Sequence, residues 1–167
     1  YLLAMSYYEQ ITDETKDLES ILEAQKYFTY VQKKYPTSEY ATDSEFKLEL
    51  VREILASKEL YLAKYYIERE KWIPAINRFK VIVEKYDTTI YVEEALHRLV
   101  EIHYKIGLIE ESKKYAKLLG YNYQSGDWYR ESYKVFNKDY KKISKREKNK
   151  NKLYTLEKIK SLLKNEK

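Results

Sequence analysis

The sequence predicts an all-α protein built as an array of antiparallel helix pairs, and three observations point there. Only three Gly and two Pro occur in 167 residues. Turns and strand ends normally consume both, so long helices joined by short connections are expected. Apolar residues recur at helical rather than strand spacing. One set of residue kinds also returns along the chain: Ala24, Phe28, Val31 and Tyr35 have the same offsets as Ala75, Phe79, Ile82 and Tyr86.

Those offsets of 0, 4, 7 and 11 trace one face of an α-helix. A small residue at offset 0 lets a neighbouring helix approach, and the aromatic at offset 4 fills the space beside it. The match continues beyond the helix, with Pro36, Ser38 and Tyr40 answering to Asp87, Thr89 and Tyr91, and a weaker third copy runs Ser112, Ala116, Leu119 and Tyr123. The Ala-x3-Phe-x7-Pro spacing is that of the second helix of a tetratricopeptide repeat. Ser38 and Thr89 are expected to cap the helices that follow, because their hydroxyls can accept unpaired backbone N–H groups. Gly107 falls where the turn between paired helices favours positive φ, and Glu70 stands at the equivalent place of the previous copy, at some cost in turn stability.

Element by element, residues 1–10 read as the end of a helix, 11–16 as a polar loop and 17–35 as its partner. Residues 38–70 contain no Gly or Pro and read as one long helix with room for a break near Leu55–Ser57. One stripe there runs Ala41, Leu48, Val51, Leu55, Leu62 and Tyr65, and a second runs Phe46, Leu50, Ile54 and Tyr61. Two apolar faces predict a helix packed between neighbours. Residues 73–86, with Pro74 tolerated in the first turn, then 90–106, 108–119 and 127–137 complete a superhelical tetratricopeptide-like array over residues 1–137.

With 44% hydrophobic and 35% charged residues, the composition is that of a soluble globular chain. No apolar run approaches the roughly 18 residues of a membrane span. The chain starts at Tyr1 inside an apolar pattern and reads as the C-terminal part of a longer protein. It has no Cys, so neither disulfides nor thiolate metal sites arise from it. Residues 138–167 hold twelve basic and four acidic residues, whereas residues 1–137 hold 20 and 23. The basicity belongs to the tail, which weakens any argument for nucleic-acid binding by the array. Twenty Tyr fit AT-rich codon usage, with the rings filling core and half-buried helix positions.

Catalytic constellations are absent from the sequence. His97 and His103 lie on different sides of one helix, cannot share a metal, and are expected to be half-exposed. No phosphate loop, nucleophile elbow or HExxH motif occurs. Neither an enzyme nor a cofactor is indicated. Within the tail, Lys141, Lys142, Lys145, Arg146, Lys148, Lys150 and Lys152 form a basic run that reads as disordered. Beyond it Leu153, Leu156, Ile159, Leu162 and Leu163 recur at helical spacing. A short amphipathic helix at 153–164 has four readings: docked on a partner, lying on an anionic membrane surface, capping the array, or a frayed end.

Longer strings are more specific. YLLAMSYYEQ at 1–10, YPTSEYATDS at 35–44, KELYLAKYYIEREKWIPAINRFKVIVEKYDTT at 58–89, EEALHRLVEIHYKIGL at 93–108 and LGYNYQSGDWYRESY at 119–133 resemble the BamD family of tetratricopeptide lipoproteins, also called ComL or YfiO. The resemblance covers residues 1 to about 136. Gln124 and Asp87 stand where that family usually has Pro, and Pro74 where it often has a small or apolar residue. The resemblance implies a non-enzymatic scaffold of the β-barrel assembly machinery at the periplasmic face of the bacterial outer membrane. Membrane attachment would be only through a lipid anchor on an N-terminal Cys outside this sequence. Implied partners are the POTRA domain of BamA, accessory Bam lipoproteins and unfolded outer-membrane proteins, with no nucleic acid. It places the BamA contact near the KE string, around Arg52, Glu53, Lys58 and Glu59. The alternative is a tetratricopeptide adaptor in another envelope or pilus biogenesis pathway. A carboxylate-clamp adaptor is disfavoured by the few Asn in the body, namely Asn77, Asn122 and Asn137.

Overall fold

The computed structural model describes residues 1–11, 18–124 and 126–136. The expectations for 138–167, a disordered basic tail with an amphipathic helix at 153–164, lie outside the described residues, as does most of the polar loop at 11–16. The described residues form seven helices, α1 (Leu2–Tyr8), α2 (Leu18–Lys34), α3 (Glu39–Glu68), α4 (Trp72–Lys85), α5 (Val92–Lys105), α6 (Ile109–Asn122) and α7 (Asp127–Phe136), with no strand among them. Each packs on its chain neighbour, and α5 also packs on α7. Helix pairs are thus stacked in chain order, as the repeat pattern requires.

The repeat positions do the packing work expected of them. Ala24, Phe28, Ala75 and Phe79 are each 0% exposed. Phe28 joins Ala4 and Ala24, while Phe79 joins Leu60, Ala63, Ala75, Ile82, Ala95 and Leu99 at the junction of α3, α4 and α5. Burying a side chain of that size contributes roughly 1.5–3 kcal/mol. In the third copy Ser112 replaces Ala and is also fully buried, its hydroxyl donating to the Val100 carbonyl of α5 at 2.8 Å.

Turn chemistry separates the observed helices from the expected ones. Ser38 caps α3, its Oγ accepting from Ala41 N–H at 3.2 Å. Thr89 does not cap α5, which begins three residues later at Val92. Its hydroxyl instead donates to the Tyr86 carbonyl at 2.7 Å, as the Ser38 hydroxyl donates to the Tyr35 carbonyl at 2.8 Å. The shared role of the two positions is therefore to close the end of the preceding helix. α3 runs unbroken through Leu55–Ser57, since nothing there removes a backbone donor or strains φ. α6 extends to Asn122, three residues beyond expectation, because Gly120 is accommodated within the helix.

Two further corrections concern burial. Phe46 (57%) and Tyr61 (54%) of the second stripe of α3 are exposed, as is Tyr65 (41%) of the first, so no neighbour within the described residues covers them, whereas Ile54 packs against Ile21, Val51 and Leu55. His97 and His103 are only 3% and 4% exposed, not half-exposed, because α5 is enclosed by α4, α6 and α7.

The α3–α4 and α5–α6 turns are the same motif. Lys71 N–H bonds to the Tyr66 carbonyl and Glu70 N–H to Ile67, at 2.9 Å each; Leu108 N–H bonds to His103 and Gly107 N–H to Tyr104, at 2.8 and 3.2 Å. Both are Schellman closures, which need a left-handed residue. Gly107 supplies it at φ 86°, but at the first turn Glu70 is forced to φ 55°. Left-handed backbone costs a non-Gly residue roughly 1–2 kcal/mol, partly offset by the greater freedom of an unfolded Gly. Glu70→Gly is expected to stabilise the array by about 0.5–1 kcal/mol. A lowered melting temperature would show that the Glu70 side chain contributes more than its backbone strain costs.

Candidate protein-docking surface

The long helix α3 is the only described element with enough length to serve two neighbours in succession. Its first part, as far as Leu55, buries Ala41, Ser44, Val51 and Leu55, and the remainder buries Ala56, Leu60 and Ala63. At about 100° per residue these sets occupy different sectors of the helix, the first against α2 and the second against α4. The sector left over carries Phe46, Tyr61 and Tyr65, all exposed, with Leu50 and Ile54 half-buried between them. Arg69 lies over the Tyr65 ring, its guanidinium carbon 3.5 Å from the centroid, which extends the aromatic stripe with a cation.

The four residues proposed from the sequence do not form one patch. Arg52 and Glu59 are two turns apart and share a side. Arg78 of α4 pairs with Glu59 at 3.1 Å. Burial, together with the Glu59 charge and against the pull of Arg52, raises the Tyr86 hydroxyl above its ordinary pKa, which puts all three groups at one place. Glu53 turns toward the α4–α5 connection and accepts from Ile90 N–H at 3.3 Å. Lys58 is half-buried and lies beside the aromatic stripe, and Arg52 is exposed. The two carboxylates thus hold α3 to the next repeat, while the two cations face outward on different flanks.

A second surface escaped the sequence reading. Lys64, Ile67, Trp72, Arg98, Ile102 and Lys105 line a groove of about 420 Å³ between α3 and α5. Its walls are laced together: Lys64 pairs with Glu94 at 3.0 Å, Arg98 with Glu101 at 2.7 Å, and the Lys105 ammonium sits 4.0 Å from the Trp72 ring centroid. These residues come from three separate helices, so no local spacing announces them.

Next to this groove, toward α7, His97 Nδ1 lies 2.8 Å from Ser132 Oγ, and His97 Nε2 lies 3.4 Å from Glu101, which also lines the groove. Burial pushes the Glu101 carboxyl up, but the hydrogen bonds and charges of His97 and then Arg98 outweigh it and hold the group at about 2. Hydroxyl, imidazole and carboxylate line up as in a nucleophilic site, yet the surroundings differ. Ser132 is only 2% exposed and lies inside α7, so its hydroxyl is closed off from a substrate in this packing. The arrangement fastens α7 to α5. Trp128 adds to it, its ring 5.1 Å from that of His97 and under Arg98. The LGYNYQSGDWYRESY string is therefore a docking motif for α7: Gly120 has no Cβ to collide with the Tyr129 ring, which would stand 2.9 Å away. Among the described residues no cluster of His, Asp or Glu is arranged to hold a metal, and no helix is long and apolar enough to cross a membrane.

Comparison with known proteins gives this surface a context. The family described as YfiO, outer membrane lipoprotein, matches residues 1–119. Outer membrane protein assembly factor BamD of Rickettsia prowazekii is 40% identical over 135 residues, which cover 81% of this chain and 54% of the relative. The protein of that name from Caulobacter vibrioides is 39% identical over 137 residues, covering 82% and 45%, and that of Neisseria gonorrhoeae 34% over 90 residues, covering 54% and 33%. The chain spans about half the length of the first two relatives.

Proposed function

The chain belongs to the YfiO family of outer membrane lipoproteins, and on that premise we propose that it is a scaffold of the outer-membrane β-barrel assembly machinery. The role is non-enzymatic. The observation that carries the reading is identity of about 40% to an assembly factor across 81% of the chain, including all of α3. The proposed location is the periplasmic face of the outer membrane. The proposed partners are the BamA POTRA domain, accessory Bam lipoproteins and unfolded outer-membrane proteins.

The mechanism is presentation of a preformed surface. A partner meeting a stack of packed helices binds side chains already held at fixed spacing, so little ordering entropy is lost on association. α3 suits this role because its core sectors anchor it on both sides while the Phe46–Tyr65 stripe stays open. Exposed aromatic groups with a cation close by are the residue types that dominate interface energies. The proposed BamA contact is centred on Arg52, Glu53, Lys58 and Glu59. The cations make direct contact in this reading, and the carboxylates position the helix.

Arg52→Glu combined with Lys58→Glu tests it. Arg52 is exposed and Lys58 only half-buried, and surface charges contribute little to stability, so the melting temperature is expected to stay within a few degrees. Affinity for the periplasmic domains of BamA is expected to fall about tenfold or more, because like charges meet across the interface. Unchanged affinity with an intact fold would move the contact away from α3, to the helices spanning 90–119.

A further inference from the structure

The groove of about 420 Å³ between α3 and α5 is filled by no described element. Its apolar lining comes from three helices: Ile67 of α3, Trp72 at the start of α4 and Ile102 of α5. Most of the charges around that lining are matched within the protein. Lys64 pairs with Glu94 at 3.0 Å, and Arg98 with Glu101 at 2.7 Å and with Glu94 at 3.5 Å. Lys105 is different. Its ammonium rests 4.0 Å from the Trp72 ring centroid, and among the described residues no carboxylate lies within ion-pair distance of it. Arg98 and Lys105 are two turns of α5 apart, so the matched and unmatched ends of the groove are separated by roughly 10 Å.

We propose that this groove is a second docking site, and that its occupant is an extended segment of a partner protein carrying one internal carboxylate beside an apolar side chain. The apolar side chain settles on Ile67, Trp72 and Ile102, and the carboxylate pairs with Lys105. An ammonium at the edge of an apolar surface is partly shielded from water, so a carboxylate gains more there than at an open surface. The same residues disfavour other anions. The Arg98 guanidinium, the fork that would grip a phosphate with two hydrogen bonds, is already engaged by Glu94 and Glu101. Glu68 and Glu101 also line the groove and repel a multiply charged ligand such as a phosphorylated segment or a nucleic acid.

A chain-terminal carboxylate is the other source of the same charge, and backbone hydrogen bonding decides against it. Terminal carboxylates are captured by clusters of backbone N–H groups. In the two turns after α3 and α5 those groups are spent, since Glu70, Lys71, Gly107 and Leu108 donate to the carbonyls of Ile67, Tyr66, Tyr104 and His103. A side-chain carboxylate needs only the one cation. The groove uses the last turns of α3, away from Arg52 and Lys58, so the site stands whether or not those two residues contact BamA. One apolar side chain and one ion pair make a weak contact, with a dissociation constant on the order of 0.1–1 mM, which adds to the affinity of a partner held at another surface as well.

The chain holds only two Trp, so the indole N–H signals of Trp72 and Trp128 can be followed separately by nuclear magnetic resonance of the nitrogen-labelled full chain. The probe is a peptide blocked at both ends, acetyl-Gly-Ser-Leu-Asp-Leu-Ser-Gly-amide, titrated beside its twin with Asn in place of Asp. The Asp peptide is expected to shift the Trp72 signal saturably and to bind about tenfold tighter than the Asn peptide. Lys105→Met keeps an apolar stem on Trp72 and removes the charge. It should erase the preference for Asp while leaving the melting temperature within a few degrees. Equal binding of the two peptides by the parent chain, a preference that survives Lys105→Met, or no saturable Trp72 shift at millimolar peptide would each overturn the proposal. So would inorganic phosphate moving the Trp72 signal as effectively as the Asp peptide, or tighter binding of a shortened peptide that ends on a free Asp carboxylate.

Discussion

Phe79→Ala is expected to lower stability by about 3–5 kcal/mol, and Phe28→Ala by a similar amount. Both rings are 0% exposed, and each is the largest side chain of its cluster. The loss has two parts, the transfer free energy of the removed ring and the cavity left among rigid helices that cannot collapse inward. Phe79 sits where α3, α4 and α5 meet, so its cavity would be bounded by three helices. Phe28 is surrounded mainly by half-buried tyrosines, Tyr1, Tyr8 and Tyr27, which have room to shift. Phe79→Ala should therefore be the costlier of the two. Chemical denaturation with a fixed m-value measures both; a near-neutral result for either would mean that the repeat position does not carry the core.

Overpacking the neighbouring small position should also destabilise, by about 1–3 kcal/mol for Ala75→Leu. Ala63 of α3, Ala75 of α4 and Ala95 of α5 are all 0% exposed and belong to one cluster, where small side chains suit the close packing of three helices. A Leu there has no unfilled volume to enter. Ala75→Ser is the discriminating control. Ser112 holds the equivalent position in α6 and donates to the carbonyl of Val100, twelve residues back, and Ala63 stands at the same offset from residue 75. The Ser variant is expected to lie within about 1 kcal/mol of the parent. If Leu and Ser were tolerated equally, the close approach of helices at this position would not be a constraint.

Neither variant touches α3's open stripe, so both should leave partner binding intact under conditions where the fold persists. That separation matters for the proposed scaffold. The residues that build the stack and those that face outward occupy different sectors of the same helices.

How much of this was legible in the chain depends on the range of the interaction. The helix pairs, the buried Phe28 and Phe79, the left-handed turns at Glu70 and Gly107, and the family strings are local patterns, read within one or two turns of helix. The docking surface was only partly so. Arg52 is exposed and Lys58 half-buried, while Glu53 and Glu59 are engaged by Ile90 and Arg78, which lie far along the chain.

The sequence by itself determined the repeat, because small and aromatic residues at offsets of four dictate both a helix and the face it must bury. It also determined the location of the positive charge, which is a matter of counting. Only the tertiary structure decided burial where two helices compete to cover one side chain. His97 and His103 have the spacing of surface residues, yet α5 lies between α4, α6 and α7 and encloses both. Phe46 and Tyr61 have the spacing of a buried stripe, yet no described helix reaches them. A periodic pattern states which residues share a face. Whether a neighbour arrives at that face is set by helix lengths and the order of stacking, which no local spacing encodes.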